Sequence, residues 1–362
     1  MTDRPVSFAI VGTGWRSEFF VRLAAALPHE LRIALVVGRT PSSVDRLAKR
    51  WGVPVSTSIS DLKAQSPEFV AVALPWEAAP VVTTELVRAG HHVLCETPPA
   101  PDLAGLRRLW DDLGRQAARV QVGEQYFRMP GHAARLEVVR AGTIGRPNSA
   151  EIASTHLYHA VSLMRSYLGV PIGVTTVNAR QFSSPLIDPN QLGVWVEDPT
   201  PVPRTTSIAT LDFGEGRYGL YNFVDNQWWN PLLHRRVIVR GSLGELADDE
   251  VLYWRDGVPL ASHIEYRRVG VDMSLEGNEV KTASFNGEVI YTNPCQGANL
   301  SEDDIAVAAH LMAQGRYVRG EGPEIYPLAE GIHDHALGLA IDESIRTGTD
   351  IRVAGEPWMP AD

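Results

Sequence analysis

The chain has 362 residues, a formal net charge of −10, 44% hydrophobic residues and 21% charged residues, which fits a globular protein of two domains. No basic block interrupts this acidic balance, so nucleic acid and anionic membrane surfaces are excluded as main partners, and the clusters Asp248-Asp249-Glu250 and Glu302-Asp303-Asp304 read as solvated surface. Two distant cysteines, Cys95 and Cys295, make no disulfide framework and suit a reducing cytoplasm. From Met1 to Pro5 the chain runs straight into a strand, without a signal pattern, and no apolar stretch is long enough to span a bilayer. Apolar runs at 6–11, 31–37, 69–74 and 92–95 predict strands, the first two ended by Gly12 and Gly38. Between them lie helical patterns. Residues 43–51 place Val44, Leu47, Ala48 and Trp51 on one face and stop at Gly52; residues 80–89 stop at Gly90; Asp102 caps a helix carrying Leu103, Leu106, Trp110 and Leu113. Alternating strands and helices, with near-continuous apolar strands, imply a parallel sheet covered on both faces. After about Gln125 the texture changes. Helical segments at 131–141 and 159–168 precede strands at 207–213, 217–224, 237–240 and 250–254, with Gly214-Glu215-Gly216 as a hairpin turn. That run predicts an antiparallel sheet, followed by a helix over 331–346; 184–204 and 275–300 read as long loops.

Gly12-Thr13-Gly14-Trp15-Arg16-Ser17 follows the first strand and opens a helix. The first glycine permits a tight turn, and the second lets the backbone approach a pyrophosphate on the helix N-terminus. Ser17 stands where a third glycine is usual. At the end of the second strand Gly38-Arg39-Thr40-Pro41-Ser42-Ser43 lacks the carboxylate that grips ribose hydroxyls. Arg39 can pair with a 2′-phosphate while Thr40 and Ser43 add donors, so NADP is preferred to NAD. The bland alternative is a solvated Arg39 beside a serine that caps the next helix.

Five further segments carry a family resemblance. Leu74-Pro75-Trp76 is similar to a Thr-Pro-Asn segment lying along the nicotinamide, with Trp76 stacking on a ligand or packing in the core. Residues 92–99, His-Val-Leu-Cys-Glu-Thr-Pro-Pro, resemble the Glu-Lys-Pro signature of the Gfo/Idh/MocA oxidoreductases. Residues 122–128, 140–147 and 240–246 resemble that family's domain crossing and two of its glycine turns. The resemblance implies an α/β Rossmann domain with a parallel sheet over 1–124, and an α+β domain with a large, mostly antiparallel sheet over 125–362. The helix at about 331–347 would pack back on the first domain.

The same resemblance implies a cofactor site of Gly12, Thr13, Gly14, Trp15, Arg16, Gly38, Arg39, Thr40, Ser43, Leu74, Pro75, Trp76, Glu96 and Thr97. The family's lysine, which assists proton movement beside the nicotinamide, is Thr97 here. His159 matches the family histidine, whereas Thr155 and Ser162 replace its two aspartates. His159 is then the expected general base. His156, Tyr126 and Thr97 are further catalytic candidates, and Arg128, Tyr158 and Arg165 would bind substrate. His156 and His159 lack a third ligand, so no metal is expected. The expected function is NAD(P)-dependent oxidation or reduction at a hydroxyl or keto carbon of a sugar, cyclitol or related molecule. Alternatives are an NAD(P)-binding sensor or partner subunit, a reductase of C=N or C=C groups, and a lyase or hydrolase using nicotinamide transiently. Apolar residues on both faces of 207–213 and 217–224, with Tyr221 placed on the open face, predict a homodimer or homotetramer through the sheet.

Overall fold

The computed structural model describes residues 4–191, 193–270, 274 and 276–360. Leu192 and Leu275, within the two expected long loops, and Met1–Asp3 of the expected lead-in lie outside the described residues. The chain forms two compact units: Met1–Pro130 with Arg268–Lys281 and Asn293–Ile332, and Gly131–Arg267 with Thr282–Thr292 and His333–Asp362. Instead of a single cut at 124/125, the chain returns twice to the first unit.

The first unit runs β1 (Val6–Val11), α1 (Trp15–Ala26), β2 (Leu31–Val37), α2 (Pro41–Trp51), β3 (Val55–Ser56), α3 (Leu62–Gln65), β4 (Phe69–Val72), α4 (Ala79–Arg88), β5 (Val93–Cys95), α5 (Leu103–Leu113) and β6 (Val120–Val122). The strands make a parallel sheet in the order β3-β2-β1-β4-β5-β6. Continuous apolar runs form these strands because both faces of the sheet are covered. Phe8, Ile10, Phe20 and Phe69 are buried, each contributing about 1.5–3 kcal/mol. Asp102 caps α5 as expected: its carboxylate accepts from the Gly105 amide at 2.6 Å.

The second unit contains α6 (Pro130–Arg140) from Gly131 onward, β7 (Pro147–Ala153), α7 (Leu157–Leu168), β8 (Thr175–Leu186), the short β9 (Asn190–Gln191) and β10 (Val194–Trp195), β11 (Val202–Asp212), β12 (Tyr218–Val224), β13 (Arg236–Gly241), β14 (Gly244–Ala247), β15 (Glu250–Arg255) and β16 (Val258–His263). Then come β17 (Glu265–Val269), β18 (Glu279–Phe285), β19 (Glu288–Thr292), α8 (Glu302–Val318), α9 (Leu328–Thr347) and β20 (Ile351–Val353). Nine strands form one sheet, β16-β15-β14-β13-β7-β12-β11-β8-β20, antiparallel except where β7 meets β12. Helix α7 covers its inner face against β7 and β12.

Several expectations are corrected. The segment 275–300 is not one loop: it holds β18 and β19, joined at Asn286-Gly287, a hairpin dipeptide. The segment 184–204 begins inside β8 and ends inside β11, which pair from Val202–Leu186 inward. Helix α8 was not expected, although Ser301 and Asp304 close a reciprocal capping box at its start. The helix packs into the first unit's core through Ile305, Leu311 and Met312, so close to β1 that a side chain at Gly315 would meet Val6 Cγ2 at 2.4 Å. Tyr221 faces inward at 2% exposure, and its hydroxyl accepts from the Leu157 amide. The outer face instead carries Phe182 and Ile208. Nor are the acidic clusters simply solvated. Asp304 pairs with Arg22, Glu302 with Arg268, and Asp249 with Arg135.

Candidate active site

A groove of about 800 Å³ opens in the first unit along the carboxyl ends of its strands. It is lined by the β1–α1 turn (Gly12 to Arg16), the end of β2 (Gly38, Arg39), Leu74, Pro75 and Trp76 after β4, and Glu96 and Thr97 after β5. Four separate loops thereby gather most of the cofactor residues read from the sequence. Thr57 and Ile59, which follow β3, also line it and were missed, since nothing in their local pattern marks them.

The two glycines of the turn have different reasons. Gly12 sits at φ +131, where a Cβ would lie 2.2 Å from the carbonyl oxygen of Ala73, so the turn itself demands glycine. Gly14 has an extended backbone, and a Cβ there would meet nothing within 4 Å. The protein does not need its bareness; a ligand pressed against it would. Gly14 is also the N-cap of α1 and offers no side-chain acceptor, which leaves the first amides of that helix to an anion. Both features fit a dinucleotide pyrophosphate. Arg46 on α2, unmarked in the sequence, donates to the Thr13 carbonyl at 2.7 Å and braces the turn.

At the β2 end of the groove Arg39 is exposed and has no carboxylate partner among the described residues. Ser43 is not aimed there: its hydroxyl donates to the Thr40 carbonyl at 2.8 Å, inside the first turn of α2. Neither Thr40 nor Ser43 lines the groove. At the opposite end Trp76 is 51% exposed, so it is a groove-lip residue and not a core tryptophan. Trp15 is also exposed on the lip.

Arg16 reaches from α1 to Glu96 at 2.9 Å, with both side chains largely buried, and lies 3.4 Å from the Gln125 amide oxygen. Burial alone would lower the guanidinium pKa, but Glu96 and then Asp303 and Tyr126 outweigh it and raise it. Gln125 in turn donates to Asp303. The backbone amide of Tyr126 donates to Glu124. Arg128 lies over the Phe127 ring, and burial with nearby Arg316 pushes its pKa down to about 10.

The other expected residues cluster in the second unit at the start of α7. His156 is its N-cap residue, and its ring contacts His159, Tyr158 and Trp228 at centroid distances of 5.0, 5.1 and 4.4 Å. His335 on α9 packs edge-on to Tyr158 at 5.4 Å. Trp228 and His335 were missed because they are distant in sequence. Burial, and His159 beside it, push the His156 pKa down to about 3, so that ring is neutral and a weak base. His159 is buried beside it. Arg165 is committed elsewhere: its guanidinium pairs with Asp334 at 2.7 Å in the interior, as a tie between α7 and α9. Among the described residues no three His, Cys, Asp or Glu side chains converge as metal ligands.

Residues 6–124 match the model of an oxidoreductase family with an NAD-binding Rossmann fold. The chain is similar to a myo-inositol dehydrogenase, Hyg17, of Streptomyces leeuwenhoekii (29% identity over 41% of this chain and 46% of the relative). It is also similar to the D-glucoside 3-dehydrogenase of Escherichia coli (27% identity over 52% of each chain). The matched stretches thus span about half the length of these curated relatives. In fold it is similar to an Agrobacterium radiobacter oxidoreductase solved with NAD+, L-tartaric acid and magnesium, at a TM-score of 0.68 and 14% identity, over 97% of this chain and 98% of that one.

Proposed function

We propose, from the match of residues 6–124 to the Gfo/Idh/MocA family model, that this chain is an NAD(P)-dependent oxidoreductase of that family acting at a hydroxyl or keto carbon of a sugar, cyclitol or related small molecule. The groove running from Gly12 and Gly14 to Glu96 and Thr97 carries this reading. When bound, the nicotinamide nucleotide supplies or accepts the hydride. Gly12 and Gly14 admit the pyrophosphate to the start of α1. Arg39 meets a 2′-phosphate, which favours NADP over NAD. Leu74, Pro75 and Trp76 border the nicotinamide, and Arg16 and Glu96 hold each other in place there. Thr97 has no charge to contribute, so the proton falls to His159, with Tyr126 as a further hydroxyl; Arg128 and Tyr158 would contact substrate. A sugar or polyol substrate is supported by the names of the two curated relatives. A cytoplasmic setting is supported by two buried, unpaired thiols. Pairing of subunits through the sheet is supported by Phe182 and Ile208 on its outer face.

Calorimetric titration with NADPH and NADH, followed by turnover on a panel of sugars and cyclitols, tests the proposal. Tighter NADPH binding with turnover is expected; a protein that binds neither nucleotide overturns it. Thr97 in place of a lysine favours one second reading, an altered site that senses the nucleotide or reduces C=N or C=C groups. Nucleotide binding without turnover on any polyol, together with activity on imines or enones, would select it.

A further inference from the structure

The Arg16–Glu96 pair, which lines the groove, also lines a second cavity of about 10 Å³. Its polar lining is Arg16, Glu96, Gln125 and His310; Phe20 and Leu311 are among its apolar walls. All of these residues belong to the first unit. His310 stands on α8, 2% exposed, with Nε2 3.1 Å from the Val122 carbonyl oxygen. A carbonyl oxygen only accepts, so Nε2 carries the hydrogen. Burial and the nearby Arg128 and Arg16 hold the ring well below the ordinary imidazole range, against the opposing pull of Val122. The ring is therefore neutral with a single N–H, and Nδ1 is a bare acceptor. Among the described residues Nδ1 has no hydrogen-bond partner. Leaving such a buried acceptor unpaired costs about 1–3 kcal/mol. The neighbouring donors are engaged, Arg16 with Glu96 and Gln125, and Gln125 with Asp303. A polar void holds a water once it offers roughly 10 Å³ and two to four partners.

We propose that this cavity is a binding site for one ordered water, which donates to His310 Nδ1 and bonds to the Arg16–Glu96–Gln125 group, making His310 a positioning residue for the Arg16–Glu96 pair. The water spans two parts of the chain that are remote in sequence, the cofactor loops and α8. It holds an ion pair that also lines the groove. His310 itself does not take up a proton, because a second buried cation beside Arg16 and Arg128 is disfavoured. The water site stands on the cavity and the ring; the role of the pair beside the nicotinamide rests on the proposed function.

A crystal structure of the full-length protein, at a resolution that places waters, should show a peak within about 2.6–3.2 Å of Nδ1 and of at least one polar atom of Arg16, Glu96 or Gln125. A dry cavity, or a ring turned so that Nδ1 faces Val122, overturns the site. Two variants test the role through NADPH titration. His310→Gln keeps a terminal N–H for the Val122 carbonyl and takes the acceptor away from the Nδ1 position, placing its Oε1 on the same terminal carbon as the donor, whereas His310→Leu removes both. Both should weaken NADPH about three- to tenfold. If His310→Gln binds like wild type and only His310→Leu is impaired, the Val122 bond is the whole of the role and the positioning claim falls. Should His310→Leu fail to fold, His310→Gln decides alone. A wild-type protein that binds neither NADPH nor NADH refutes the oxidoreductase reading instead, and the crystallographic result still judges the water.

Discussion

Gly14→Ala separates what the fold needs from what a ligand needs. Gly14 has φ −78 and ψ −174, which alanine adopts without strain, and the new methyl would meet nothing within 4 Å. Two small terms then act on stability. Alanine restricts the unfolded chain, a gain of about 0.4–1 kcal/mol, and it is a poorer N-cap than glycine, a loss of similar size. Their sum is near zero, so Tm should stay within about 3 °C of wild type. A pyrophosphate packed against the turn has no such room. An added methyl in a filled contact costs about 1–3 kcal/mol, hence about 5- to 150-fold in Kd for NADPH. Gly12→Ala is the contrast: its Cβ would be driven to 2.2 Å from a backbone oxygen at a positive φ, and it should lose stability before ligand is added. Differential scanning fluorimetry with NADPH titration reads both effects. A Gly14→Ala protein that melts normally and binds NADPH as wild type does would refute the placement of the pyrophosphate.

Arg39→Ala should weaken NADPH by about 1–2 kcal/mol, toward the lower range of a charge-assisted contact because the side chain is exposed, and leave NADH unchanged; equal losses for both nucleotides would contradict a 2′-phosphate role. His159→Ala should lower turnover about 10²–10⁴-fold with nucleotide affinity retained, and steady-state kinetics at wild-type rate would make His159 structural. Phe182→Asp, on the outer face of the sheet, should shift the assembly toward monomer in light scattering, whereas a stable wild-type monomer at micromolar concentration rules the interface out. Acid should destabilise the fold through its buried histidines. Burial, with the nearby Arg135, His159 and Arg165 respectively, pushes His132, His156 and His333 to about 3 each. The unfolded chain, with imidazoles near 6.5, binds more protons between those values. Their stabilisation is complete above about pH 6.5 and is lost as pH falls toward 3. Denaturant midpoints that stay flat from pH 7 to 4 would contradict it.

How much was legible depended on how local each signal was. The strands of the first unit were readable because burial on both faces writes an uninterrupted apolar run closed by glycine, as at Val6–Val11 and Leu31–Val37. The nucleotide turn was readable because its chemistry lies within six consecutive residues. Helix α8 was not, since it is buried from Asp304 to Gly315 with the sole exception of Ala309, and a helix covered nearly all round shows no amphipathic stripe. Its capping box was the remaining signal. Tyr221 was set on the wrong face because β12 carries large side chains on both sides, and only the position of α7 decides which side is inside. For Arg165 the residue type suggested an anion binder; the carboxylate that claims it comes 169 residues later. His310 was silent for the same reason, as its meaning comes from Val122 and the Arg16–Glu96 pair.

The closure of the first unit's core by α8 has a consequence for biosynthesis. Val6, Phe8 and Phe69 share one apolar cluster with Ile305, Leu311 and Met312. When Pro130 leaves the ribosome, that surface has no cover. The helix that supplies it ends at Val318, about 190 residues later, which at about 5–20 residues per second means roughly 10–40 s of translation. During that interval the nascent nucleotide domain exposes apolar surface of the kind that recruits chaperones. A gene fragment ending at residue 130 would make that exposure permanent, so the nucleotide-binding half is poorly suited to excision as a free-standing module.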